Sequence, residues 1–264
     1  AEECEEEGGG DLNLSMPSLA ADALGVTACL AAWVKAEARA TGPVSVVLVG
    51  HSLGGAVAVR AAERCLALLA GDGEAQHAAS TVMRLVGVTV VDVVEGTAIP
   101  SLKRLPALLK ARPSRFDSVQ EAMAWTLSSG MCNNPASAAM SVPAMLRRRP
   151  RVGEAAGAAG VAGAEVYTWR TDIEKTAPFW EGWYTGLSAA LLGLPSSVGK
   201  MLVLASTDRL DTPLTIGHMQ GKFQFEVVQS AGHSVHEDQP AEMANLLLRF
   251  LSRVVVGVRG LRLK

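Results

Sequence analysis

The sequence lacks the features that would place it in several large functional classes. Only 19% of its 264 residues are charged, and the formal net charge of −2 leaves no basic excess of the kind nucleic-acid binders carry. Arg147, Arg148, Arg149 and Arg151 form one short basic run, but no aromatic residues accompany it for base stacking, so it reads as a solvated loop. No uninterrupted apolar run approaches the ~20 residues that would span a bilayer, so no membrane association is expected. The acidic start, Ala1-Glu2-Glu3-Cys4-Glu5-Glu6-Glu7, has neither the positive charge nor the apolar stretch of a signal peptide. Cysteine is scarce and scattered (Cys4, Cys29, Cys65, Cys132), with no CxxC or metal-ligand spacing. The scatter suggests free thiols in a reducing, cytoplasmic and/or nuclear compartment, although four cysteines leave room for a disulfide.

What remains is a chain able to bury a core. Hydrophobic residues make up 49% of it, which excludes global disorder and fits one large α/β domain. Residues 1–17 read as an acidic, then Gly-rich loop. Apolar residues at helical spacing (Leu19, Ala23, Val26, Leu30, Trp33, Val34) predict a helix over 18–40. Residues 44–49 form a β-branched apolar run, the pattern of a parallel strand buried on both faces. An Ala-rich helix is expected over 54–69, a polar loop over 71–80, and further strands over 85–91, 201–205 and 223–228. A closing helix is expected over 240–254, with Pro240 in its first turn. This alternation predicts a mostly parallel sheet with right-handed crossovers. The core would span 18–99 and 195–256, and 100–194 would be a helical insertion lying over the sheet as a lid. Within it, the Gly/Ala-rich stretch 150–164 has no periodic apolar face and is expected to be flexible.

Chemistry concentrates in Gly50-His51-Ser52-Leu53-Gly54-Gly55, a GxSxG pattern with a strand before it and a helix after it. That context is the one a nucleophile elbow requires: Ser52 sits in a tight strained turn, and Gly50 and Gly54 avoid clashes where strand and helix cross. The Leu53 amide, at the helix N-terminus, would face the developing oxyanion. A serine hydroxyl needs a general base. His233 follows the strand expected over 223–228 and is favoured over His236, while His51 and His77 are not expected to transfer protons. The acid that orients the base should lie between them in the chain. Asp92, at the tip of the 85–91 strand, and Asp208, after the 201–205 strand, both qualify. Position favours Asp208, but an ionised Asp at the end of an apolar strand also needs a partner, so Asp92 stays open.

Several segments resemble the protein phosphatase methylesterases of the α/β-hydrolase superfamily. They are Val91-Asp92-Val93-Val94-Glu95-Gly96-Thr97-Ala98, Tyr167-Thr168-Trp169-Arg170, Phe179-Trp180-Glu181-Gly182-Trp183, Asp208-Arg209-Leu210-Asp211, Met219-Gln220-Gly221-Lys222-Phe223-Gln224 and Gly232-His233-Ser234-Val235-His236-Glu237-Asp238. The likeness runs from about residue 11 to 251, interrupted near 152–164. It implies a serine carboxylesterase that removes the methyl ester from the C-terminal leucine of the type 2A protein phosphatase catalytic subunit. By that resemblance the triad is Ser52, Asp92 and His233, no cofactor or metal is needed, and Asp208 is structural, pairing with Arg209 or capping its loop. Trp169, Arg170, Trp180 and Trp183 would build the phosphatase-facing surface or pack the insertion onto the sheet.

The resemblance also implies strands ahead of residue 18 and a loop of HGGG type that supplies a second oxyanion donor. Gly8-Gly9-Gly10 has no apolar strand or His before it and is a poor substitute. The expectation is therefore a chain missing the N-terminal part of its sheet, with a recognisable triad and a half-built oxyanion hole. One lost donor costs ~10²–10³ in rate. The alternatives are a generic small-ester or lipid hydrolase of the same fold, and an inert phosphatase-binding fragment.

Overall fold

The computed structural model describes residues 13–150 and 165–256, so the expectations for 1–12 and 151–164 fall outside the described residues. In chain order the elements begin with α1 (Met16–Glu37), β1 (Val44–His51), α2 (Leu53–Leu69), α3 (Glu74–Val82) and β2 (Met83–Val91). The segment that follows contains α4 (Glu95–Leu102), α5 (Leu105–Ala111), β3 (Arg115–Phe116), α6 (Val119–Ser128), α7 (Pro135–Met145), β4 (Leu146–Pro150), β5 (Glu165–Trp169), α8 (Trp180–Tyr184) and α9 (Leu187–Gly193). The chain then returns to the sheet with β6 (Gly199–Leu204), α10 (Thr212–Met219), β7 (Gln224–Val227), α11 (Val235–Asp238) and α12 (Pro240–Val256).

The valine-rich segments form a four-stranded parallel sheet in the order β1-β2-β6-β7. Val88 and Val90 of β2 face a cluster that includes Ala56, Val59, Ala62, Trp183 and Leu191. Val91, Met201 and Val203 face the other way, onto Val235, Met243, Leu246 and Phe250 around α12. Helices thus cover both faces, which is why the inner strands read as unbroken apolar runs. Register aligns the strand ends: His51 lies beside Val91, Val91 beside Val203, and Leu204 beside Val227. Residues immediately after β1 and β2, and the loop after β7, therefore share one edge of the sheet.

Three sequence expectations need correction. Residues 71–80 are not all loop: Gly73 caps α3, and its Ala and Gln residues favour helix despite the polarity of the segment as a whole. The segment between β2 and β6 is not purely helical. It holds a small antiparallel sheet, ordered β3-β5-β4, over a core of Phe116, Ala122, Cys132, Ala138, Val142 and Leu146. β3 has two residues and β4 reads Leu-Arg-Arg-Arg-Pro, so neither shows strand patterning in sequence. Third, α1 is long and apolar enough, by length and composition, to cross a membrane. Its apolar residues are diluted by Ala, Gly and Thr, so no continuous run flags it. Met16, Ala20 and Ala31 of α1 are buried in the fold, while Val26, Leu30, Trp33 and Val34 lie exposed.

Cys29, Cys65 and Cys132 are free thiols, the latter two buried. Burial pushes both buried thiols up from their ordinary pKa.

Candidate active site

Ser52 occupies the single residue between β1 and α2, with φ 53° and ψ −123°. A non-glycine residue at positive φ is strained. The strain is held by packing around the turn, because the Ser52 amide donates to the Val91 carbonyl at 2.8 Å, extending the sheet ladder past β1. Gly50 is indispensable, since a Cβ there would stand 1.9 Å from the Gly54 carbonyl oxygen. The partner glycine is Gly55 rather than the expected Gly54. A Cβ on Gly55 would meet Val93 Cγ1 at 2.9 Å, whereas one on Gly54 would meet nothing within 4 Å. The Leu53 amide is the first of α2, and no hydrogen-bond acceptor holds it among the described residues. It is available to an oxyanion.

Asp92 extends β2 in the same way, its amide donating to the Val203 carbonyl at 2.8 Å and its φ at 52°. Its carboxylate is buried (3% exposed) and fully engaged. Oδ1 accepts the Ala205 amide at 3.0 Å, and Oδ2 faces His233 Nδ1 at 2.8 Å and pairs with the Arg209 guanidinium. Burial alone would raise its pKa, but the His233 and Ala205 hydrogen bonds and the Arg209 charge outweigh it and hold the carboxyl below its ordinary value. A carboxylate kept ionised on Nδ1 makes that nitrogen the N–H of the neutral ring and leaves Nε2 as the base.

Of the two candidate acids, the geometry brings Asp92, not Asp208, to His233. Asp208 is exposed in a 3₁₀ turn (Thr207–Arg209) and has no hydrogen bond or ion pair among the described residues. Arg209 turns away from its sequence neighbour to pair with Asp92. Ser52, Asp92 and His233 line one cleft of about 600 Å³, whose walls include Val93, Val94, Leu102, Leu105 and Leu108. Ser52 Oγ and His233 Nε2 are not hydrogen-bonded to each other in this structure. Tyr184 lines the same cleft as Ser52. Such links are commonly loose without substrate.

Other contacts escaped the sequence reading. His51 donates from Nε2 to the His233 carbonyl at 2.7 Å, and its ring lies 4.6 Å from that of His233 and 4.7 Å from that of His236. Burial first, then the charge of His233, lowers the His51 pKa to about 4. His51 is therefore neutral near pH 7, its one ring proton on Nε2 tying the base's loop to the elbow. His77 lies in α3, remote from this group.

Asp238 anchors the same loop from the other side. Its carboxylate accepts the Gly232 amide at 2.7 Å, the Asn133 amide at 2.6 Å and Asn133 Nδ2 at 2.9 Å. Asn133 belongs to the α6–α7 connection, so the insertion and the base's loop share one buried carboxylate. Only a run of charged residues after a His hinted at this, and no local pattern points to Asn133.

The expected binding aromatics divide. Trp169 stacks edge-on to Phe116 at 5.3 Å and Trp125 at 5.7 Å, lies under the Arg112 guanidinium at 3.4 Å, and donates to the Pro113 carbonyl at 2.7 Å. Arg170 is exposed. Trp180 and Trp183 are buried, at 7% and 8% exposure. They pack the insertion onto the core, and their ring nitrogens donate to Thr176 Oγ1 and the Leu14 carbonyl. Among the described residues no group of three His, Cys, Asp or Glu side chains could hold a metal ion.

The model of the alpha/beta hydrolase family matches residues 10–246. The protein phosphatase methylesterase 1 of Schizosaccharomyces pombe is 39% identical over 208 residues, 79% of this chain and 52% of the relative. That of Mus musculus is 35% identical over 240 residues, 80% and 58% of the respective lengths. The probable protein phosphatase methylesterase 1 of Caenorhabditis elegans is 42% identical over 208 residues, 79% and 49%. The chain thus spans about half the length of the curated relatives it matches. Among solved structures, E-2-(acetamidomethylene)succinate hydrolase superposes with a TM-score of 0.60 at 18% identity, covering 94% of this chain and 76% of that one. A Mycobacterium tuberculosis esterase superposes at 0.51 and 20% identity, covering 87% and 69%. At these identities the two structures speak to the fold alone.

Proposed function

The chain belongs to the α/β-hydrolase family, and on that premise we propose that it is the catalytic part of a serine carboxylesterase. Its proposed substrate is the methyl ester on the C-terminal leucine of a type 2A protein phosphatase catalytic subunit. The observation that carries the chemistry is the 2.8 Å Asp92–His233 pair beside Ser52, at the strand ends of one sheet. The likeness to methylesterases carries the choice of substrate.

In this reading His233 Nε2 takes the Ser52 hydroxyl proton as Oγ attacks the ester carbonyl. Negative charge collects on the carbonyl oxygen, where the Leu53 N–H donates to it. As the tetrahedral adduct collapses, His233 returns the proton to the methoxy oxygen and methanol departs. Water, activated by the same nitrogen, then releases the leucine carboxylate. Asp92 keeps Nδ1–H oriented and stabilises the imidazolium formed in each step. The apolar wall of Leu102, Leu105 and Leu108 suits an uncharged aliphatic side chain beside the ester.

The test is fluorophosphonate labelling of the purified chain and of Ser52→Ala, followed by methanol release from a peptide ending in leucine methyl ester. Labelling confined to Ser52, with methanol release lost in Ser52→Ala, is the expected result. An adduct on another residue would sink the mechanism. Labelling at Ser52 with turnover of p-nitrophenyl acetate but not of the peptide would leave the mechanism and remove the substrate.

A further inference from the structure

At the opposite end of the sheet from Ser52, where β6 and β7 begin, lies a second cavity of about 590 Å³. Among the described residues, three cationic side chains line it, Lys200, Lys222 and Arg253, and no Asp or Glu does. Lys200 sits on an inner strand and is only 8% exposed. Its ammonium donates to the carbonyls of Leu194 at 2.6 Å and Pro195 at 3.3 Å, which account for two of its three N–H bonds. Arg253 donates to Gln224 Oε1, and the Gln224 amide in turn occupies Glu226, so that carboxylate is engaged on β7 outside the cavity lining.

The electrostatics are uncompensated. Burial, and then the charge of Lys222, push the Lys200 ammonium below its ordinary pKa, the mark of a cation held near another with only carbonyl dipoles for relief. An anion in the cavity would offset both costs. A phosphate group suits more than one cation, since a monoester carries close to two negative charges near pH 7. Leu192, Val198 and Phe223 make the remaining wall apolar, and the volume falls within the ~300–1,000 Å³ of small-molecule pockets, well beyond what a bare phosphate fills.

We infer that this cavity binds a small organic phosphate monoester, its phosphate among Lys200, Lys222 and Arg253 and its apolar body against Leu192, Val198 and Phe223. The site is independent of the esterase chemistry and stands or falls without it.

Isothermal titration of the full chain with phenyl phosphate tests it, with inorganic phosphate and benzoate as comparison ligands. Lys222→Ala and Arg253→Ala remove exposed side chains and leave the core intact, so the test does not depend on substituting the buried Lys200. Phenyl phosphate should bind more tightly than either comparison ligand. Each substitution should weaken it about tenfold, the loss of one charge-assisted hydrogen bond, and fluorophosphonate on Ser52 should leave binding unchanged. Absence of binding, equal binding by the double variant, or competition by the Ser52 adduct would overturn the site. Benzoate binding as tightly as phenyl phosphate would overturn the ligand class, and inorganic phosphate doing so would overturn the role of the apolar wall.

Discussion

Asp92 keeps its negative charge inside the protein because three donors converge on it, and that economy sets its sensitivity to substitution. Asp92→Asn should retain the fold but lower kcat about 10⁴-fold, since an amide can hold the wrong His233 tautomer. Asp208→Asn should leave kcat near that of the wild type, and steady-state kinetics on the two variants separates the candidates. His51 offers a second measurement. Its folded-state pKa of about 4 lies below the ordinary 6.5, so the unfolded chain binds the extra proton first as pH falls. Its contribution to stability is complete above about pH 6.5 and is lost on descending towards pH 4. Urea denaturation at pH 7 and pH 4.5 should therefore show a steeper loss for the wild type than for His51→Gln. Ser52 and His233 were legible in the sequence because each sits in a local pattern tied to a strand end. Chain order left the acid open, because two carboxylates followed two apolar strands, and it was the family resemblance, not position, that singled out Asp92. The roles of Arg209, His51 and Asn133 were hidden, because each depends on a contact between distant segments.

Between β1 and α2 the elbow tolerates no side chain at position 50. Gly50→Ala would force the turn apart against backbone atoms, and overpacking of this kind costs at least about 1–3 kcal/mol. Denaturant midpoints should fall accordingly, with labelling of Ser52 lost in parallel. The Asn133–Asp238 link joins two elements rather than two residues of one loop. Asn133→Ala keeps the backbone amide bond and removes the side-chain one, so about 1.5–3 kcal/mol of stability should go. Elements buried on both faces announced themselves through valine runs, and the parallel pairing of β1, β2, β6 and β7 follows from alternating strands and helices. α3 and the β3-β5-β4 sheet gave no such sign. α3 is short and polar, and the Arg-rich β4 draws its strand geometry from pairing with β5 rather than from its own composition.

Across the whole molecule, β1 has β2 as its only strand neighbour among the described residues, and Val49 on it is 49% exposed. Together with the exposed stripe of Val26, Leu30 and Trp33 on α1, the described residues present apolar surface and, along β1, backbone donors and acceptors with no strand partner among them. Concentration-dependent association is the expected behaviour, and Val49→Lys should shift light scattering towards the monomer without altering the circular dichroism spectrum. The triad has a different consequence. Asp92 and His233 are 141 residues apart in the chain, and the elbow hangs from a third strand. Closing a loop of that size is entropically costly and belongs to the late stages of assembly. On the proposed function, catalysis would then serve as a clock for folding: in refolding from urea, turnover should return with the slowest phase, after helical signal has recovered, and a protease nick that frees β7 should abolish turnover while leaving most of the helices in place.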